Sequence, residues 1–287
     1  MKQHAPPSPL VDAAAFEAAR GSNALVVLDA SFDLADTAAG ERVFAQGHVP
    51  GAQYAHLESD LSAPKAITPF RGRHPLPTRA AFAITAGRWG ITPTSRVVVM
   101  DRQGGVYAAR LWWMLRWLGH ASVWLLDGGV DAWVAAGGAL TTAATTVEAA
   151  PPYPVQARSM PTIDAESLQR RLGAVRLIDA RAPERFRGEV EPLDAVAGHI
   201  PGAINRLFKL NLGADGRFKP REQLAAEFAP LLGRSPPSEV VHQCGSGVTA
   251  CHNLLAMEAA GWPGATLYPG SWSEWSADPA RPVALGG

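Results

Sequence analysis

This 287-residue chain has few cysteines, no excess of charge of either sign and no long hydrophobic run. Its two cysteines, Cys244 and Cys251, are too few and too close together for a disulfide scaffold, so we expect reduced thiols in a cytoplasmic protein. Lysine plus arginine number 26 and aspartate plus glutamate also number 26. This balance argues against nucleic acid or an anionic membrane as a partner.

We expect no membrane-spanning or secretory segment in this chain. Its longest apolar stretch, residues 111–118, is short and contains Arg116, so it predicts a buried helix. Residues 1–7 lack the apolar core of a signal peptide. The hydrophobic content of 47% is ample for packed cores, and the length predicts about two domains.

Three sequence patterns occur twice in the same order. Gly-His-x-Pro-Gly-Ala occupies residues 47–52 and 198–203, an apolar run containing an aspartate occupies 25–30 and 175–180, and a glycine- and tryptophan-containing segment occupies 128–133 and 270–275. A repeat of this length predicts two similar domains and excludes a solenoid of short units. We place the domains at 8–140 and 162–285.

Within each half, β-branched runs alternate with helical stretches. Residues 97–100 and 238–241 fit strands, and 108–118 and 251–260 fit helices. This alternation predicts an α/β fold, with a mainly parallel sheet covered by helices on both faces in each domain. Residues 141–161 are rich in threonine, alanine and proline and predict a linker between the domains.

The most informative segment is residues 240–250, where an apolar strand delivers a single cysteine. Cys244 is followed by small or hydroxyl-bearing residues and then by a helix. Glycines allow a tight turn whose N–H groups, together with the helix N-terminus, can converge on an anion. Such an environment favours thiolate over thiol, so Cys244 is a candidate nucleophile.

Together, the repeated Gly-His-x-Pro-Gly-Ala, the Cys-Gly-Ser-Gly-Val-Thr loop and the closing Gly-Ser-Trp-Ser-Glu-Trp resemble the tandem rhodanese family of sulfurtransferases. The resemblance spans nearly the whole chain and implies transfer of a sulfane sulfur through a cysteine persulfide, in the second domain only. It implies a small anionic sulfur donor and a thiophilic acceptor, which stays open between a thiol, cyanide and a thioredoxin-like protein. We expect no cofactor and no metal. The loop is most similar to that of the 3-mercaptopyruvate sulfurtransferase type. Thiosulfate:cyanide sulfurtransferase and, more remotely, a non-enzymatic sulfur carrier or interaction module are the alternatives.

The resemblance also implies roles for individual residues. Cys244 is the nucleophile, Ser246 either relays a proton or stabilises the turn, and His74 either approaches them as a relay or is a solvated loop residue, with Glu58 or Asp60 as its acidic partner. Arg185 matches an arginine that binds the donor's carboxylate. A planar guanidinium is suited to this role because it can donate two hydrogen bonds to one carboxylate. The loop residues expected to contact the donor are Gly245, Gly247, Val248 and Thr249.

The chain departs from the family pattern at two positions. Leu193 follows Glu-Pro where a second arginine is expected, and Arg206 stands where an apolar residue is usual. Whether Arg206 supplies the missing charge stays open. The first half contains no cysteine, and an offset of 142 residues, taken from the repeated tryptophan segment, places Arg102 opposite Cys244.

Two other classes of site fit the loop poorly. In a cysteine phosphatase or arsenate reductase, five residues separate the catalytic cysteine from an arginine. In this chain, the residue at that distance from Cys244 is Ala250. A zinc site is not expected, because Cys244 and Cys251 lack the short paired spacing. We expect Cys251 to be buried and His252 to face solvent or the sheet.

Overall fold

The computed structural model describes residues 8–22, 24–65, 69–157 and 160–287. Residues 1–7, on which the expectation about a signal peptide rests, and two residues of the predicted linker lie outside this part of the chain. Among the described residues, no helix has the length and hydropathy needed to cross a membrane.

The first half forms a five-stranded sheet in the order β1-β5-β4-β2-β3, and each of its strand pairs is parallel. Val27 on β2 pairs with Ala52 on β3 and with Val98 on β4. The elements are β1 (Leu10–Val11), α1 (Ala13–Ala19), β2 (Leu25–Asp29), α2 (Ala39–Gln46), β3 (Ala52–Tyr54), α3 (Arg79–Arg88), β4 (Arg96–Met100), α4 (Ala108–Leu118), β5 (Val123–Leu126) and α5 (Gly129–Ala135).

The second half forms a parallel four-stranded sheet in the order β7-β6-β8-β9, with Ile178 on β6 opposite His242 on β8. Its elements are α6 (Ala165–Arg170), β6 (Arg176–Asp179), α7 (Pro183–Phe186), β7 (Ile204–Asn205), α8 (Arg221–Leu232), β8 (Val240–Gln243), α9 (Thr249–Ala259), β9 (Thr266–Leu267) and α10 (Ser271–Trp275), with 3₁₀ turns at Phe208–Asn211 and Pro237–Glu239.

Both sheets are covered on both faces. Successive strand side chains point to opposite sides of the sheet, and helices pack against each side. In the first half, Val27 and Val98 pack with Phe16 of α1 and Trp133 of α5 in one cluster. Their strand neighbours, Leu28 among them, join α3 and α4 in another cluster. The second half repeats this arrangement, with α6 and α10 on one side and α8 and α9 on the other. The predicted α/β architecture is confirmed.

The two halves share their largest hydrophobic core. Helices α4 and α9 pack against each other, and buried residues of both belong to one cluster. The predicted helix over 108–118 is confirmed as α4, which includes the apolar run and ends at Gly119 in the left-handed region (φ 101°). Helix α9 begins at Thr249, two residues earlier than predicted, so the loop after Cys244 is correspondingly short.

The predicted linker runs along the first half without forming a helix or a strand in its described residues. Ala150 N donates to the Gly87 carbonyl (2.8 Å) and Tyr153 N to the Ala83 carbonyl (2.9 Å). These bonds attach the linker to α3. The exact domain bounds at 140 and 162 stay a prediction.

Candidate active site

The site lies at the carboxyl end of β8, where the chain turns from strand to helix α9. Cys244 is the first residue after the strand and is 2% exposed. Its N–H donates to Ser271 Oγ (3.1 Å), and its carbonyl accepts from Trp272 N (2.9 Å). Ser271 itself adopts positive φ (55°) at the start of α10. The N-terminus of α10 therefore fixes the backbone of Cys244 from one side.

In the same loop, a glycine is required at position 247 because the backbone there lies close to Pro269. Its φ is 77°, and a Cβ there would lie 2.4 Å from the Pro269 carbonyl oxygen. The Gly247 carbonyl accepts from Arg110 Nη1 of α4 (3.0 Å) and from Cys251 Sγ (3.3 Å). As expected, Cys251 is buried, and burial raises the pKa of its thiol to about 12. The loop is therefore held by groups from both halves.

Cys244 opens on a cavity of about 710 Å³ between the two halves. Cys244, Gly245, Ser246, Val248, Thr249 and Arg185 line this cavity, whereas Gly247 does not line it. The first half contributes Leu34, Arg73, Gln103, Val106 and Tyr107 to the cavity lining. Cys244 and most of the predicted contact residues thus meet at one cleft.

His74 lies behind Ser246, with its Nδ1 2.8 Å from Ser246 Oγ. Burial, followed by the nearby Arg110 and Arg73 charges, lowers the pKa of His74 to about 3, so the imidazole is neutral. His74 is therefore a buried residue and not a solvated one. The expected acidic partners are wrong, because Glu58 pairs with Lys65 and Asp60 with Arg88.

Arg185 sits at the end of the short helix α7, which begins with Pro183. Its Nη2 lies 2.6 Å from Glu191 Oε1 and 3.6 Å from Asp194 Oδ2. The guanidinium lies close to Gly245, with Arg185 Nη1 3.6 Å from the position that a Cβ on Gly245 would occupy. The group presents positive charge beside Cys244.

Arg206 does not reach this cleft. Its guanidinium is buried and bonded to Asn211 Oδ1 (3.0 Å) and Glu227 Oε2 (2.9 Å). Arg206 therefore does not supply the positive charge that is missing at Leu193. Leu193 lines the cavity and is 47% exposed.

The expectation for His252 is wrong. It is completely buried, its Nε2 lies 3.0 Å from the Gly104 carbonyl oxygen, and its ring stacks on Phe218 at 4.5 Å. Burial lowers the pKa of His252 to about 4. The residue belongs to the interface because α9 packs against the loop after β4.

The first half contains a counterpart of the cysteine loop, but the residue opposite Cys244 is Asp101 and not Arg102. The Asp101 carbonyl accepts from Val130 N just as the Cys244 carbonyl accepts from Trp272 N. The Asp101 carboxylate accepts N–H bonds of 2.8–2.9 Å from Gln103, Gly105, Tyr107 and Ala108. This half therefore surrounds its own carboxylate with the donors of the loop and the α4 N-terminus.

Sequence reasoning missed Arg73 and Arg110. Arg110 is completely buried and donates to the carbonyls of Leu61 (3.3 Å), His74 (3.2 Å) and Gly247. Arg73 pairs with Asp194 of the other half. For Arg110 the sequence signal was an arginine inside the predicted helix 108–118, directly before the apolar run, and for Arg73 it was adjacency to His74.

Comparisons with known proteins agree with this arrangement. The model of the rhodanese-like domain matches residues 12–136 and again 164–278. A probable 3-mercaptopyruvate sulfurtransferase of Pseudomonas aeruginosa is 52% identical over 267 residues, covering 91% of this chain and 93% of that protein. A putative thiosulfate sulfurtransferase of Mycobacterium tuberculosis is 42% identical over 264 residues, covering 91% and 90%. Among solved structures, a 3-mercaptopyruvate sulfurtransferase from Leishmania major superposes with a TM-score of 0.79 at 28% identity, covering 96% of this chain and 76% of that one.

Proposed function

The chain belongs to the rhodanese-like family, with two copies of the domain, and from this premise we propose that it is a sulfurtransferase that carries sulfur as a persulfide on Cys244. The observation that carries the proposal is that Cys244, Ser246 and Arg185 line one inter-domain cavity, with His74 hydrogen-bonded to Ser246. The first half has no cysteine, so it supplies one wall of the site and no second nucleophile.

The favoured donor is 3-mercaptopyruvate. The Cys244 thiolate attacks the donor's thiol sulfur, a new S–S bond forms, and the C–S bond of the donor breaks with its electron pair left on carbon. The product is the enolate of pyruvate, which must gain one proton. A thiolate acceptor then attacks the outer sulfur of the persulfide, takes it away and regenerates the Cys244 thiolate, so ping-pong kinetics are expected.

The Ser246–His74 pair supports this donor. Because His74 is neutral, the bonded hydroxyl and imidazole can accept a proton at one atom and release one at another without separating charge. The departing enolate needs such a proton at carbon. Thiosulfate instead releases sulfite, a stable anion that needs none, so a buried proton relay would be of less use to it.

The positions of charged side chains around Cys244 support a donor whose anionic group is separate from the sulfur that is transferred. Gly245 and Ser246 carry no charge, whereas the guanidinium of Arg185 stands beside them. A guanidinium can bind a carboxylate through two N–H groups. We place the donor's carboxylate at Arg185 and its sulfur at Cys244, with Val248 and Thr249 along the floor.

Thiosulfate is the second candidate donor. It is favoured by the M. tuberculosis relative named for thiosulfate, and Leu193, which stands where the mercaptopyruvate type has a second arginine, weakens the case for the first donor. The acceptor is a thiophile, for which we propose a small thiol, cyanide or a thioredoxin-like protein. Because both cysteines are free and buried, we propose the reducing cytoplasm as the compartment.

Steady-state kinetics with both donors and one common thiol acceptor test this proposal. We expect a higher kcat/KM for 3-mercaptopyruvate than for thiosulfate, and no turnover by Cys244→Ser with either. Ser246→Ala is expected to lower kcat roughly a hundredfold with 3-mercaptopyruvate and much less with thiosulfate, in the range of general acid–base effects. A thiosulfate preference, or equal losses with both donors, would contradict the donor assignment.

A further inference from the structure

A short segment of the first half, Gly72-Arg73-His74, reaches into the cleft and completes it. Gly72 has φ 90°, and a Cβ there would lie 2.6 Å from the Gly270 carbonyl oxygen and 2.9 Å from Ser273 Oγ. Arg73 N donates to the same Ser273 Oγ (3.1 Å). The backbone of Arg73 is therefore fixed against α10, the helix that also fixes Cys244.

The Arg73 side chain points at the residue that follows the nucleophile. Its Nη2 lies 2.9 Å from the place where a Cβ on Gly245 would stand, and Arg185 Nη1 lies 3.6 Å from that place. Both arginines line the cavity that contains Cys244. Two guanidinium groups, one from each half, thus converge on Gly245, the residue that follows the nucleophile.

Two acidic side chains hold these guanidinium groups without occupying all of their donors. Arg73 Nη1 pairs with Asp194 Oδ1, and Arg185 uses Nε and Nη2 to bind Glu191. In the part of the chain that the structure describes, Arg73 Nη2 and Arg185 Nη1 have no protein acceptor. Those two nitrogens are also the ones nearest Gly245, so they form an unfilled pair of donors facing the cavity.

We propose that Arg73 is a second anion-binding residue, which shares the donor's carboxylate with Arg185. The inference rests on the proposed function for the identity of the donor. A monoanionic carboxylate has two oxygens, and each guanidinium can donate to one of them. Asp194 competes with that carboxylate, because it accepts from Arg73 and lies 3.6 Å from Arg185.

Binding of 3-mercaptopyruvate to the Cys244→Ser protein, measured by calorimetry, tests the proposal without requiring turnover. In this background, Arg73→Met is expected to raise Kd roughly ten- to a hundredfold, the effect of one hydrogen bond to a charged group. In the active protein, the same change is expected to raise KM by a similar factor and to change kcat much less.

Two matched variants separate this role from a purely structural one. Asp194→Asn breaks the same inter-domain ion pair but releases both guanidinium groups, so Kd is expected to fall. Arg71→Met alters the same loop at an exposed residue that does not line this cavity, and its Kd is expected to stay within about twofold of the parent protein, as for a distant surface charge.

The proposal is overturned if Arg73→Met leaves Kd within about twofold of the parent, or if Asp194→Asn weakens binding as much as Arg73→Met does. The second result would mean that Arg73 only ties the two halves together. Absence of sulfur transfer by the wild-type protein would instead remove the proposed function, while the calorimetric comparison would still report whether Arg73 binds the carboxylate.

Discussion

Replacing Asp101 with alanine is expected to destabilise the protein by about 4 kcal/mol. The carboxylate accepts four N–H bonds of 2.8–2.9 Å from the loop before α4, and Asp101 is 1% exposed. Each donor left buried without an acceptor costs about 1 kcal/mol or more. Asp101→Asn retains one acceptor oxygen but turns its amide N–H₂ towards two of the donors, so about 2 kcal/mol is expected to be lost.

Urea unfolding measures the change in the free energy of unfolding, and amide hydrogen exchange at Tyr107 and Ala108 measures the local effect in the loop. Cys244→Ala is the matched control at the corresponding position of the second half. A thiol is a weaker hydrogen-bond acceptor than a carboxylate, so the control is expected to cost only about 1 kcal/mol. Urea midpoints of Asp101→Ala and Asp101→Asn equal to that of wild type, with unchanged exchange at Tyr107 and Ala108, would refute the role of Asp101 as the loop's internal anion.

Two further predictions concern buried ionisable groups. Arg110→Lys is expected to lower the free energy of unfolding by about 3 kcal/mol and to reduce kcat/KM, because one ammonium cannot replace a guanidinium at three carbonyls; an unchanged urea midpoint would contradict this. Burial lowers the pKa of His242 from 6.5 to about 3 in the folded protein. The unfolded chain therefore takes up the proton first, and this contribution to stability is complete above about pH 6.5 and decreases as the pH falls towards 3. Wild type is expected to lose about 2 kcal/mol more stability than His242→Gln between about pH 8 and about pH 5, and parallel pH profiles would show that His242 is not the cause.

The sequence predicts those parts of the fold that depend on local patterns. The apolar runs ending at Asp29 and Asp179 are strands because β-branched and aliphatic residues fill a sheet buried on both faces. The stretch 108–118, which contains Arg110, is a helix of the predicted length. The repeated motifs correctly indicate two copies of one fold, and the resemblance drawn from them identifies the family.

The predicted alignment of the first-half loop with the cysteine loop was wrong by one residue. An offset taken from the tryptophan segment placed Arg102 opposite Cys244, whereas strand pairing and the bonds to Val130 and Trp272 place Asp101 there. The spacing between repeats changes along the chain, so an offset measured at one motif does not carry to another. A carboxylate directly after β4 was the available signal.

Contacts across the interface could not be predicted from local patterns. Arg73 and Arg110 are distant in sequence from the loop they touch, and their partners there are a glycine and a backbone carbonyl. The contact of His74 with Ser246 was one of two possibilities that the family resemblance offered. His252 shows the same limit, because its burial depends on how α4 and α9 pack.

The central claim is that Cys244 carries the transferred sulfur, and mass spectrometry of the protein treated with 3-mercaptopyruvate in the absence of acceptor tests it most directly. We predict a mass gain of one sulfur atom, located on Cys244 by fragmentation and removed when a thiol acceptor is added. Cys251, which is completely buried, is the internal control and is expected to stay unmodified. Sulfur found on Cys251, or turnover retained by Cys244→Ser, would contradict the account.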